Sequence, residues 1–150
     1  MIRCTAILVV LLFGLSVAGA AEEQLVVKKS AYSVAQTLDR LSEALKSRNI
    51  GIVARVDHAA AGEKVGLPLK PTQVLIFGNP KLGTPLMQAN PKVGLELPMK
   101  VLAWEDDGGQ VWLAYSKPEH LQAAFAVKGR DEVFQQMAKA LNALTDEAAK

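Results

Sequence analysis

Thiols and imidazoles are scarce in this 150-residue chain, which has one cysteine, two histidines and an aromatic content of 5%. Each scarcity closes off chemistry. Cys4 lies ahead of the apolar run Ala6 to Phe13, whereas a lipoprotein cysteine would follow such a run. If that N-terminal segment is a signal, its removal leaves no thiol, which excludes disulfides, thiolate catalysis and cysteine-ligated metals. His58 and His120 would need carboxylates such as Asp57 or Glu119 to complete a metal site, so no metal is expected. Without a Cys-x-x-Cys-His string no haem is expected, no other cofactor is expected either, and the methionines beyond Met1 read as packing. No P-loop spacing is present, and no serine has the flanking glycines of a nucleophile elbow.

One-signed charge is missing as well. Lysine and arginine number 17 against 15 acids, and loss of Arg3 with a signal leaves 16 against 15, a formal charge of +1. No cluster of basic residues interleaves with aromatics, so nucleic acid is not an expected partner and electrostatic attachment to a membrane is not expected either.

The segment 1–20 reads as a secretory signal: Arg3, then the apolar run, then Ala18-Gly19-Ala20 at the cleavage positions. The run is broken by Gly14 and Ser16 and falls short of the ~20 residues of a bilayer span, so an uncleaved anchor is the weaker alternative. Residues 21–150 are then expected as a single exported domain, periplasmic or secreted, with no stable membrane insertion after cleavage.

Hydrophobic spacing gives the elements. Gln24 to Lys29 reads as a strand. Ser33 with Gln36 forms a capping box for a helix whose apolar stripe is Val34, Leu38, Leu41 and Leu45, ending at Asn49. Ile50 to His58 alternates as a second strand, by parity turning His58 toward the apolar side, and Ala59 to Val65 is a short helix. Val74 to Phe77 has no polar face, so it belongs mid-sheet, covered by helices or by a partner subunit. Thr84-Pro85 reads as the cap and first residue of the next helix, bounded by Pro91. Met99 to Asp106 and Gln110 to Tyr115 form a hairpin over Asp107-Gly108-Gly109. A loop of two or four residues puts Trp104 and Trp112 on opposite faces, the expected register; a three-residue loop pairs them. Ser116-Lys117-Pro118-Glu119 suggests a capping box for a helix reaching Ala126. Asp131 suggests a cap for a last helix carrying Phe134, Met137, Leu141 and Leu144 and fading after Thr145. The order predicts an α+β fold: one compact domain, helices packed on a mixed or antiparallel sheet, with a C-terminal hairpin and helices.

Several strings occur together: Ser33-Val34-Ala35-Gln36-Thr37-Leu38, Val56-Asp57-His58, Phe77-Gly78-Asn79-Pro80 with Gly83-Thr84, Leu97-Pro98, and Trp104-Glu105-Asp106. In that order they resemble the domain of unknown function 302 family over roughly residues 33–121. The resemblance implies a compact α+β domain, frequent export, homodimerisation and no assigned cofactor. Ala123-Ala124-Phe125 stands where the family pattern often has an Arg-His pair, so no second site histidine is expected there.

His58, Gly78, Asn79, Pro80 and Thr84 are the candidate ligand-binding residues. An imidazole can grip a ligand or transfer a proton, and the Gly78 turn ends a central strand beside what Thr84 suggests is a helix N-terminus open to an anion. The reading is a binding or interaction domain for a small molecule or a protein, engaged in a groove between His58 and the Gly78 to Thr84 turn. One alternative is a hydrolase-like acid–base enzyme with His58 as general base and Asn79 as amide donor. The other is a purely structural dimeric module.

Overall fold

The structure, a computed structural model, describes residues 24–150; the expected signal segment and Cys4 lie outside them. The elements are β1 (Leu25–Ser30), α1 (Val34–Lys46), β2 (Gly51–Asp57), α2 (His58–Lys64), β3 (Thr72–Gly78), α3 (Pro80–Ala89) and a 3₁₀ turn (Pro91–Leu95). Then come β4 (Met99–Glu105), β5 (Val111–Ser116), α4 (Pro118–Ala124) and α5 (Asp131–Ala149). The strands make one five-stranded sheet in the order β1-β5-β4-β3-β2, and every pairing is antiparallel. The expected α+β class holds, with the antiparallel form of the sheet realised.

One sheet face forms the core. Leu75 and Phe77 of β3, Val101 of β4 and Leu113 of β5 pack in one cluster with Leu38, Leu41 and Leu45 of α1 and Phe134, Leu141 and Leu144 of α5. Fully burying each such side chain contributes about 1.5–3 kcal/mol. The helix α1 starts as its sequence dictates: Ser33 Oγ accepts from Gln36 N at 3.3 Å and Gln36 Oε1 accepts from Ser33 N at 3.2 Å. Past its end Asn49 adopts φ 54°, the left-handed geometry asparagine tolerates.

Four local expectations are corrected. Ser116 does not cap α4, because it is still paired with Leu25 in the sheet; Lys117 precedes the helix and Pro118 opens it. That helix stops at Ala124 rather than Ala126, whose φ is 47°. Asp131 is the first residue of α5 rather than its cap, and its carboxylate accepts from Gln122 Nε2 at 2.7 Å. Finally, α5 runs on past Thr145 because Ala148 and Ala149 are buried.

The hairpin has a three-residue loop. Asp106 N donates to Gln110 O at 2.9 Å, which closes Asp107-Gly108-Gly109, and Gly109 supplies φ 79°. Trp104 and Trp112 are therefore direct cross-strand partners on one face, so the opposite-face register is overturned while the hairpin itself stands. Asp106 selects this loop. Its Oδ1 accepts from Gly108 N and Gln110 N, each at 2.9 Å, and its Oδ2 accepts from Trp112 Nε1 at 2.7 Å.

The Trp112 indole foremost, then the Gln110 amide, hold the Asp106 carboxyl below its ordinary value. A depressed folded pKa stabilises the fold above the unfolded value and stops doing so as pH falls through the folded one. The melting-temperature gap between wild type and Asp106→Asn should thus be constant at neutral pH and narrow below about pH 3.9. A gap that widens in acid would contradict the assignment.

The other sheet face carries an apolar row across its whole width. Val27, Ala114, Leu102, Val74 and Val56 form one cross-strand row over all five strands, and Lys29, Trp112, Trp104 and Thr72 form the next. A solvated antiparallel face normally alternates to polar residues. Here Val27 stays 44% and Val56 38% exposed, while both indoles are half-buried. The Lys29 ammonium lies 5.3 Å from the Trp112 ring centre.

Candidate functional site: an apolar cavity at the end of strand β3

Strand β3 ends at Gly78, where a Cβ would come within 3.2 Å of the Pro98 side chain. The chain then turns straight into α3. Asn79 is the cap, its Oδ1 accepting from Lys81 N at 3.0 Å, and Pro80 takes the first helical position, where no amide is needed. This corrects the expected start at Thr84-Pro85: Thr84 lies inside α3, and Pro85 interrupts its bonding without ending it. It also removes the expected anion site. Lys81 N is taken by the Asn79 side chain, and Leu82 N and Gly83 N both donate to Asn79 O.

Opposite the turn, β2 carries a bulge between Ile52 and Ala54. The extra residue, Val53, joins Ile50 on one wall of a cavity of about 280 Å³. Leu82, Thr84 and Met87 of α3 form a second wall, Leu97 to Met99 a third, and α5 closes it with Met137, Ala140, Leu141 and Leu144. Phe77, Met99, Met137, Leu141 and Leu144 are buried and make the floor, whereas Val53, Thr84 and Met87 are exposed at the rim.

No ionisable side chain lines this space, and Asn79 and Thr84 supply its only polar side chains. The arrangement can desolvate an apolar group. All three methionines other than Met1 line it.

Four of the five candidate residues therefore come together: Gly78, Asn79, Pro80 and Thr84 all border the cavity. His58 does not. It opens α2 as an exposed residue, because the strand ends one residue sooner than parity suggested. Asp57 caps that helix, with Oδ1 accepting from Ala60 N at 2.9 Å and Oδ2 from Gln73 Nε2 at 2.8 Å. Gly51 pairs with Gly78 at one end of β2 and Asp57 with Gln73 at the other, so at ~3.3 Å per residue His58 stands about 20 Å from the turn. A single groove joining His58 to Gly78–Thr84 is not formed. Sequence reasoning missed Val53, Met87 and Ala140 as wall residues, since nothing local says that β2, α3 and α5 meet. Among the described residues, no three His, Cys, Asp or Glu side chains cluster as metal ligands, and no helix is long and apolar enough to cross a membrane.

The model of the family described as Domain of unknown function DUF302 matches residues 26–144. The chain belongs to the DUF302 family. The match extends beyond the residues that suggested it and takes in α5 as far as Leu144, which includes the part that closes the cavity. The DUF302 chain is 46% identical over 97 residues to "Fluoride-specific ion channel FluC 1" of Brucella suis biovar 1 (strain 1330), covering 65% of this chain and 38% of that protein. It is equally similar to the protein of that name from Brucella abortus biovar 1 (strain 9-941), covering 36% of it. The chain thus spans little more than a third of the length of these curated relatives. The crystal structure of a conserved DUF302 protein from Bacillus stearothermophilus superposes with a TM-score of 0.76 at 22% identity, covering 83% of this chain and 98% of that one. That likeness establishes the shared fold.

Proposed function

We propose that this DUF302 domain is a binding module that takes a small apolar molecule into the cavity beside the Gly78 to Thr84 turn. The single observation that carries the reading is the cavity itself, about 280 Å³ with a buried floor and no ionisable lining. Its volume is near the lower end of the ~300–1,000 Å³ of small-molecule sites. General-base catalysis by His58 with Asn79 lacks geometry, the two standing at opposite ends of the β2–β3 pair. Fluoride conduction is not carried over from the Brucella proteins, because most of their length has no counterpart here.

The test is thermal denaturation of residues 21–150 with benzene, cyclohexanol and 1-hexanol as probes. A molecule that binds only the folded state stabilises it by about 2.7 kcal/mol at a hundredfold excess over its Kd. His58→Ala should leave the shift unchanged. No shift with any probe would remove the reading.

The pattern of residues 1–20 supports export, with cleavage after Ala20. Intact mass of the exported protein should begin at Ala21, and a mass retaining Met1 would instead mean a tethered protein.

A second reading concerns the outer sheet face, whose unbroken apolar row supports a homodimer with two sheets packed about 10 Å apart. Light scattering should give twice the monomer mass, and Trp104→Glu should weaken association by roughly thirtyfold or more, as for a central interface residue. Wild type that stays monomeric at high concentration would sink this reading.

A further inference from the structure

We propose that the occupant of the cavity is an unbranched aliphatic chain of about eight to ten carbons, its polar end left in water at the rim; this rests on the binding reading above and names the ligand class. A volume of about 280 Å³ equals that of roughly nine water molecules at the ~30 Å³ each takes in the liquid, and a methylene group is of similar size. Polarity comes next. The floor is wholly apolar, while Thr84 is exposed at the rim and half-buried Asn79 has an Nδ2 without a partner among the described residues. Such a gradient matches a molecule with one apolar end and one polar end. With the α3 amides already bonded, nothing in the lining calls for a charged head.

The walls decide the shape. Methionine is unbranched and flexible, and its thioether adapts to whatever lies against it. Met87, Met99 and Met137 come from α3, from β4 and from α5, yet all face the same space, so three independent walls of the cavity can re-pack. Phe77 is its one aromatic residue, and a single ring makes no slot for a flat polycyclic guest. A flexible chain that samples many shapes suits adaptable walls; a rigid ring system gains from preformed ones.

The experiment is calorimetric titration of residues 21–150 with straight-chain alcohols from 1-butanol to 1-dodecanol, and with 2-naphthol, a rigid molecule close to 1-octanol in hydrophobicity. Affinity should rise about fourfold per added methylene, level off between 1-octanol and 1-decanol, and exceed that for 2-naphthol by about tenfold at 1-octanol. Ala140→Phe, which fills the space from a half-buried position on α5, should abolish the chain-length dependence while leaving the circular dichroism spectrum native. Replacing Met87, Met99 and Met137 together by leucine should narrow the tenfold preference over 2-naphthol.

Equal affinity for 2-naphthol and 1-octanol overturns the chain assignment and leaves the cavity reading in place. Binding of neither overturns both. One equivalent of Ag(I) retained by wild type and lost in the triple leucine variant would reassign the thioethers to a soft cation and likewise overturn the chain assignment.

Discussion

Truncating Phe134 to alanine should cost about 3–5 kcal/mol, the usual range for emptying a buried aromatic site. Its side chain is 1% exposed and lies on α5 within the single core cluster. A domain of this size commonly has only ~5–15 kcal/mol in hand, so the variant should lose roughly a third of its stability and melt about 10 °C or more below wild type. Urea denaturation measures the difference directly. A loss under about 1 kcal/mol would mean that the site collapses around the deletion and that α5 is not held down by its apolar stripe.

The second large effect should come from Lys28. It projects from β1 beneath α5, its side chain 15% exposed. Its Nζ donates to Asn142 O and Oδ1, Thr145 Oγ1 and Asp146 Oδ1, at 2.8 to 2.9 Å. Lys28→Met keeps the apolar stem and removes every one of those contacts, while Lys28→Ala removes the stem too. We expect losses of about 2 and about 3 kcal/mol respectively, because partly buried acceptors and a carboxylate are left without their cation. The Lys28 hydrogen bond is also the largest cause holding the Asp146 carboxyl below its ordinary value. A double-mutant cycle with Asp146→Ala should return a favourable coupling; additivity would show the contact to be idle.

What the sequence made legible was local. The Ser33–Gln36 box, the left-handed Asn49 and the apolar stripes of α1 and α5 follow from spacing and from the conformational tastes of single residues, and each appears where it was expected. Errors arose wherever two local rules competed. Asn79-Pro80 and Thr84-Pro85 both fit a cap followed by proline, and the earlier pair wins because β3 has already ended at Gly78. Asp107-Gly108-Gly109 suits more than one hairpin loop, and the choice falls to the Asp106 carboxylate, whose three donors fit only the three-residue form. His58 failed by a single residue of strand length. The cavity was half visible: its turn could be read, but its walls come from elements that only the tertiary fold brings together, and a bulge at Val53 has no sequence signature of its own.

The strand order also dictates a sequence of events. Among themselves, strands β2 through β5 pair only with chain neighbours, so that part of the sheet can assemble from contacts made as each strand becomes available. Strand β1 is different. Its ladder partner begins at Val111, its lysine is satisfied only by residues 142–146, and Ala31 N donates to Ala149 O at 2.9 Å. Among the described residues the earliest strand is therefore the last to have all its partners, and ordering it closes a loop of more than eighty residues, the kind of non-local contact that slows folding. A chain lacking α5 could pair β1 with β5 but would leave Lys28 without the acceptors that residues 142–146 supply.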